Sequence, residues 1–430
     1  MHPEDRLLLS HIGKDPLIML RDAELIQDFY KKQNCYEKVP LPEHVRPLFG
    51  YGGLTFSEGE TWKRHRKILS GSFNYEGLRS KVPLVQATAK EFLGKIGPDG
   101  CQEYGIFNKI QEITGEIAGR MFFGEDLKNY SIDNKPLTTY LTDLISDLFV
   151  LSLSPMGLLL GEKLVQLTPA HVKVMKRLKK LREMCHKIIA DRKAQKGDKG
   201  SDLLAILLAT QTTGDPDGMM SDEEIVDEFI TTFSGGMDST GHLIGMALYM
   251  LTQNPECLAK LKSERETCYK NDVDMEDINK MEEMHCFLKE TLRFYNPIPF
   301  SMDRIAVKDH TLGDVEIPKG MRVKPDYFAV AFDEKHWVEP EKFNPDRWKG
   351  KIDPYTFVPF LAGPRNCIGQ HLAIIEAKVI ISEFLERFEF KLKDGYQLKM
   401  VYRFLNEPED EIVFDLKHKK EMRVDTMKCF

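Results

Sequence analysis

Cys367 stands in the stretch Phe360-Leu-Ala-Gly363-Pro-Arg365-Asn-Cys367-Ile-Gly369, with an arginine two residues before it. An apolar run at helical spacing follows: Leu372, Ala373, Ile374, Ile375, Ala377, Val379 and Ile380. A thiolate at the mouth of a helix is stabilised by the positive end of the helix dipole. Glycine lets backbone N–H groups come close to the sulfur. Residues of these types in this order suit a cysteine that carries negative charge. The plain alternative is a buried free cysteine that only packs.

A second group is Gly235-Gly236-Met237-Asp238-Ser239-Thr240. It lies inside a long apolar pattern, where each glycine costs about 1 kcal/mol relative to alanine. Glycine permits a ligand or another plane to approach the backbone, and a Ser or Thr hydroxyl can bond the carbonyl one turn back. Close helix packing explains the glycines equally well. Glu290-Thr-Leu-Arg293 places a carboxylate and a guanidinium on one helical face. Phe343-Asn-Pro345-Asp-Arg347-Trp348 brings another arginine. Trp62 and Arg66, four apart, offer an indole N–H and a guanidinium on one face, suited to carboxylates. An exposed basic turn with a partly buried Trp is the alternative. Lys63, Arg64 and Lys67 read either as a basic docking patch, which the resemblance given below would assign to an acidic electron donor, or as solvated charges.

Phe-x-x-Gly-x-Arg-x-Cys-x-Gly resembles the haem-ligand loop of the cytochrome P-450 family, and the other three regions follow that family's order. The resemblance runs from about Pro16 to the end of the chain. It implies haem b, with Cys367 as the iron ligand and Phe360, Gly363, Arg365 and Gly369 shaping the loop. It implies propionate contacts from Trp62, Arg66, Arg304 and Arg365, and a structural trio of Glu290, Arg293 and Arg347 that holds the cysteine loop. Asp238, Ser239 and Thr240 become the catalytic proton relay. Ser239 departs from the family's threonine, keeping the hydroxyl but losing the methyl, so its rotamer is less restricted and coupling of electrons to product is expected to be poorer. Substrate contacts fall on Thr231, Ser234, Gly235, Pro299, Phe300 and Met302.

The implied activity is a haem-thiolate monooxygenase acting on a small lipophilic substrate with O2. Electrons come from NADPH through a separate flavoprotein reductase, since the chain has no Gly-x-Gly-x-x-Gly strand-turn-helix signature. A haem-thiolate isomerase or dehydratase, or a non-enzymatic haem sensor, would use the same loop; the acid and hydroxyl pair at Asp238 and Ser239 argues against both.

These residues need elements to position them. The 430 residues suffice for a large core. A 42% hydrophobic and 30% charged composition is ordinary for a globular protein. A net charge of −7 argues against nucleic acid as a partner. The eight cysteines form no Cys-x-x-Cys pair, so zinc has no support, and their scatter suggests a reducing compartment.

Pro16–Leu20 reads as a strand, and helical periodicity dominates from about Ala23 to Tyr295. A basic helix is expected between His171 and Lys196, and a turn at Gly214–Gly218. Ser221-Asp-Glu-Glu224 is a capping box. It opens a helix running to about Thr252, roughly 48 Å at about 1.5 Å per residue. Past Pro297 short strands take over, including Leu312–Ile317 and Phe388–Leu392.

The expectation is one domain over 1–430, mostly α with a smaller β portion, in the cytochrome P-450 fold with haem between the long helix and the helix after Cys367. Its β-rich parts lie near 10–22, 297–330 and 385–430, and its α-rich parts at 23–296 and 370–386. No stretch reaches about 18 apolar residues, so no transmembrane helix is expected, and Met1–Arg6 is too charged for a signal peptide. The chain starts inside what would be the first small sheet of the fold. The expected place is the cytoplasmic side of the endoplasmic reticulum if a longer form carries an anchor, with peripheral membrane association, and otherwise the soluble cytoplasm.

Overall fold

The computed structural model describes residues 6–12, 15–40, 46, 53–97, 101–124, 129–152, 162–195, 202–212, 218–403 and 405–419. Most of the Gly214–Gly218 turn, most of Gly50–Gly53, parts of the loops near Lys32–Leu48 and Leu148–Leu167, and Cys429 fall outside these. Helices and a smaller set of strands fold around one large apolar cluster, and a second cluster lies under the N-terminal sheet.

The helices that matter here are α1 (Ala23–Lys31), α2 (Gly59–Ser70), α3 (Val82–Leu93), α4 (Ile106–Phe123), α5 (Leu137–Ser152), α6 (Pro169–Ala194), α7 (Leu203–Thr210), α8 (Asp222–Gln253), α9 (Glu282–Phe294) and α10 (Gln370–Arg387). The strands are β1 (Leu7–Ile12), β2 (Asp15–Leu20), β3 (Tyr36–Lys38), β4 (Cys101–Gly105), β5 (Arg304–Ala306), β6 (Arg322–Pro325), β7 (Phe388–Leu392), β8 (Met400–Tyr402), β9 (Asn406–Pro408) and β10 (Val413–His418).

The main sheet runs β1-β2-β6-β5-β3 and so unites the N-terminal segment with residues past Pro297. A second sheet, β7-β10-β4, draws Cys101–Gly105 from inside the region whose periodicity reads as helical. That strand has no strong pattern of its own; pairing with β10 creates it.

Helix α8 crosses the core. Ser221 caps it through the Glu224 N–H, and the Glu224 side chain returns to the Ser221 backbone. Such a cap is worth about 1 kcal/mol. Its nearest companion is α4, and the approach is close because of glycines. A Cβ on Gly241 would sit 3.0 Å from Gln111, and one on Gly245 would sit 2.5 Å from the Phe107 ring. Among the described residues, no helix is long and apolar enough to cross a membrane.

Candidate active site

Along the middle of α8 almost every side chain is buried, with one gap. Thr232, Gly235, Gly236 and Ser239 keep accessible surface amid buried neighbours. They are spaced i, i+3, i+4 and i+7, one face of a helix. A Cβ on Gly235 would meet nothing within 4 Å, and one on Gly236 would reach the Phe122 ring at 3.4 Å. Gly241 and Gly245 are therefore packing glycines, whereas Gly235 borders open space. The Ser239 hydroxyl donates to the Gly235 carbonyl at 2.8 Å, one turn back.

The cysteine loop borders the same interior. Phe122 stacks near Phe73, ring centres 5.5 Å apart. A Cβ on Gly369 would lie 4.0 Å from Phe73 and 3.9 Å from the Cys367 sulfur. The open face of α8 and Cys367 thus lie at two ends of one pair of phenylalanines. Cys367 is accessible at its surface, yet it sits deep enough that burial raises its thiol pKa. A deep but accessible sulfur faces an internal space. The Gly369 N–H and Arg66 oppose the rise, and a bound metal ion would outweigh it. The loop is held by the Cys367 N–H donating to the Phe360 carbonyl at 2.7 Å. Leu361 and Gly363 both have positive φ, at 60° and 69°. For leucine that conformation is costly, and the surrounding packing sustains it.

A cationic cluster lies beside the loop. Lys38 and Arg304 are directly opposite in the β3/β5 pair, a placement that like charges disfavour. Arg365 donates to the Ser57 carbonyl at 2.8 Å and pairs with Glu58, and its guanidinium lies 3.9 Å over the Trp62 ring. Arg304 reaches Glu58 at 3.7 Å. Burial, then Arg365 and Arg304, depress Lys38 to about 7. Burial and the Arg304 and Arg66 charges bring Arg365 down to about 10. Among the described residues, Glu58 is the one carboxylate that these cations share. The surplus of positive charge fits a ligand that brings two carboxylates, as the propionates of haem do, beside a sulfur facing open space. Arg66 is placed differently from the others: both its terminal nitrogens donate to Asn366, at 2.9 Å to the backbone carbonyl and 2.7 Å to Oδ1.

Asp238 is buried with one oxygen lacking a protein partner. Burial first, then the Glu407 charge, push its carboxyl up to about 7, against a hydrogen bond from Thr142. Thr240 is buried beside it. Glu290 accepts from Arg293 at 2.8 and 3.0 Å and from Arg347 at 3.0 Å. The Asn344 N–H and the Trp348 indole add bonds at 2.9 Å each.

Some sequence expectations land elsewhere. Thr231 and Ser234 are buried off the open face; Ser234 donates to the Ile230 carbonyl at 2.8 Å. Thr232, which the motif left unmarked, occupies that face; the i−7 spacing from Ser239 was its signal. Pro299 is buried, Phe300 rests against Tyr402 with ring centres 6.0 Å apart, and Met302 is exposed. Arg64 is not a free charge: it pairs with Glu224 and donates to the Met219 carbonyl at 2.7 Å. Lys63 stays outside, paired with Glu60 at 2.6 Å. Lys38, Glu58 and Asn366 were missed, since nothing local marks them.

The Cytochrome P-450 family model matches residues 5–413. Cytochrome P-450 709B1 of Arabidopsis thaliana is 30% identical over 90% of this chain and 76% of its own length. Cytochrome P-450 3A6 of Oryctolagus cuniculus is 27% identical over 93% of this chain and 83% of its own. A crystal structure of the cytochrome P-450DA haem domain superimposes with a TM-score of 0.85 at 22% identity, covering 97% of this chain and 90% of that one, a likeness of fold.

Proposed function

Because this chain belongs to the cytochrome P-450 family, and is thus a haem-b monooxygenase, we propose that it oxidises a small lipophilic substrate with electrons from NADPH through a separate flavoprotein reductase. The observation that carries the reading is the open face of α8 at the far end of the Phe122–Phe73 pair from Cys367. Work at the cytoplasmic face of the endoplasmic reticulum, with peripheral membrane contact, suits a lipophilic substrate.

Cys367 would hold the iron of haem b, which would supply the oxygen-activating redox chemistry. The chain supplies position, protons and dryness. The Gly369 N–H and Arg66 favour the anionic form of the Cys367 sulfur. Trp62, Arg304 and Arg365, with Lys38, would hold the propionates, and Arg66 would support them through the loop. Glu290, Arg293 and Arg347 fix α9 to the Asn344–Trp348 segment that precedes that loop. Asp238, with a pKa of about 7, gives up a proton and regains one near neutrality, the condition for an efficient general acid. Ser239 and Thr240 pass that proton on through water. Thr232, Gly235, Phe300 and Met302 border the substrate.

The test begins with the carbon monoxide difference spectrum of the reduced protein beside Cys367→His. A strongly red-shifted Soret band, present in the native chain and lost in the variant, is expected. Reconstitution with a purified NADPH-linked flavoprotein reductase and lipophilic candidates should then yield product carrying one atom of labelled O2. Oxidation supported only by another type of electron donor would overturn the reductase assignment.

A further inference from the structure

One buried cluster serves none of the roles above. His65, on α2, is fully buried, and its Nδ1 lies 2.7 Å from Glu228 Oε1. Its Nε2 lies 3.4 Å from Glu224 Oε1 and 3.3 Å from Arg64 Nη2. Glu228 is itself buried, with one oxygen lacking a protein partner. Burial pushes its carboxyl up, while His65 and the Leu54 backbone N–H hold it down. Glu224 also closes the capping box of α8. Successive residues of one short helix thus reach two different bodies. Arg64 and His65 grip the first turns of α8, and Arg66 forks onto Asn366, the residue before Cys367.

We propose that His65 is a positioning residue for the cysteine loop: clamped between Glu228 on one side and the Arg64–Glu224 pair on the other, it fixes the rotation of α2 so that Arg66 keeps both bonds to Asn366. The proposal rests on the haem-thiolate reading. Its leverage is geometric. A side-chain tip about 5 Å from a helix axis moves about 2 Å when the helix turns by about 20°. That displacement is enough to break the 2.7 Å bond from Arg66 to Asn366 Oδ1. Apolar packing on α2 would resist such a turn less sharply, since dispersion contacts are not directional, whereas a hydrogen bond weakens steeply with misalignment.

The experiment compares holoproteins: wild type, His65→Leu, His65→Gln, Glu228→Gln, Arg66→Lys and the double variant His65→Leu with Arg66→Lys. Haem transfer to apomyoglobin, the ferric–ferrous reduction potential and the thermal midpoint are read for each. Partners that orient a metal's ligands from outside are worth about 10- to 100-fold in retention. His65→Leu and Arg66→Lys are each expected to speed haem loss about 10-fold. The double variant should be no faster than the faster single one. His65→Gln, which still donates to Glu228, should recover most of the retention, and Glu228→Gln should fall between.

Effects that multiply in the double variant would show that His65 does not act through Arg66 and overturn the proposal. So would a lower thermal midpoint with unchanged haem loss and potential, the mark of a merely structural pair. If His65→Leu does not fold, His65→Gln and Glu228→Gln against Arg66→Lys give the same comparison. A wild-type carbon monoxide spectrum of the histidine-ligated kind would overturn the haem-thiolate reading itself, and the proposal with it.

Discussion

Glu290 and Asp238 are both buried acids, and they are treated in opposite ways. Glu290 takes two bonds from Arg293, one from Arg347, one from the Asn344 backbone and one from the Trp348 indole. Asp238 has a hydrogen bond from Thr142 and an oxygen with no protein partner, and burial lifts its pKa to about 7. A buried charge that is fully bonded fixes structure. A buried acid that is left partly bonded stays able to exchange its proton, and such groups cluster at functional sites. The contrast sets one acid bonded into the scaffold against one left able to titrate.

The contrast can be broken at the scaffold first. Glu290→Ala would leave two arginines without their shared carboxylate, a loss of about 3–5 kcal/mol for a broken buried pair. The expected result is a chain with little bound haem and a much lower unfolding midpoint, read by absorbance and calorimetry. A stable, haem-loaded Glu290→Ala protein would refute the scaffold role.

Asp238 sharpens it through pH. Its folded pKa, about 7, lies above the ordinary 3.8, so the folded state binds the proton more tightly than the unfolded chain does. The stability it contributes is therefore fully present below about 4 and is lost as pH rises through 7. Across that window the loss is at most about 4 kcal/mol, at 1.36 kcal/mol per unit. Asp238→Asn, which cannot ionise, should match wild type near pH 4 and be the more stable of the two at pH 8. Denaturant melts at several pH values would show it, and parallel curves would contradict the assignment.

In turnover the same variant should lose about 100-fold in kcat, the lower range for a general acid, with haem content unchanged. Ser239→Thr restores a methyl that limits the rotamer and should raise the product formed per NADPH consumed. The smallest effect is at Gly235→Ala. It should gain up to about 1 kcal/mol of helix propensity, because nothing lies within 4 Å of the new Cβ, while weakening substrate binding in a spectral titration. Gly245→Ala, which would meet Phe107 at 2.5 Å, should destabilise instead.

How much of this was legible follows from chain separation. The cysteine loop, the capping box and the Glu290/Arg293 spacing are local, so residue types within a few positions reveal them. The long helix was readable from its periodicity and cap, with bounds at Asp222 and Gln253. Arg347 could be joined to Glu290 only through the resemblance. Cys101–Gly105 could not be read as a strand, because it exists by pairing with Val413–His418. Thr231 and Ser234 came to the site through the resemblance; on α8 they are buried off the open face, which Thr232 occupies.

The sequence by itself determined the sulfur and the loop around it, the helix that crosses the core, and the pair of groups able to move a proton. Each depends on backbone preferences and on neighbours a turn or less away. Only the tertiary structure decided which glycines pack and which border space, that Lys38 and Arg304 stand opposite each other beside Glu58, and that His65 grips α8 while Arg66 grips the loop. Those contacts join segments up to 300 residues apart. No local preference specifies them; the packing of the whole chain does.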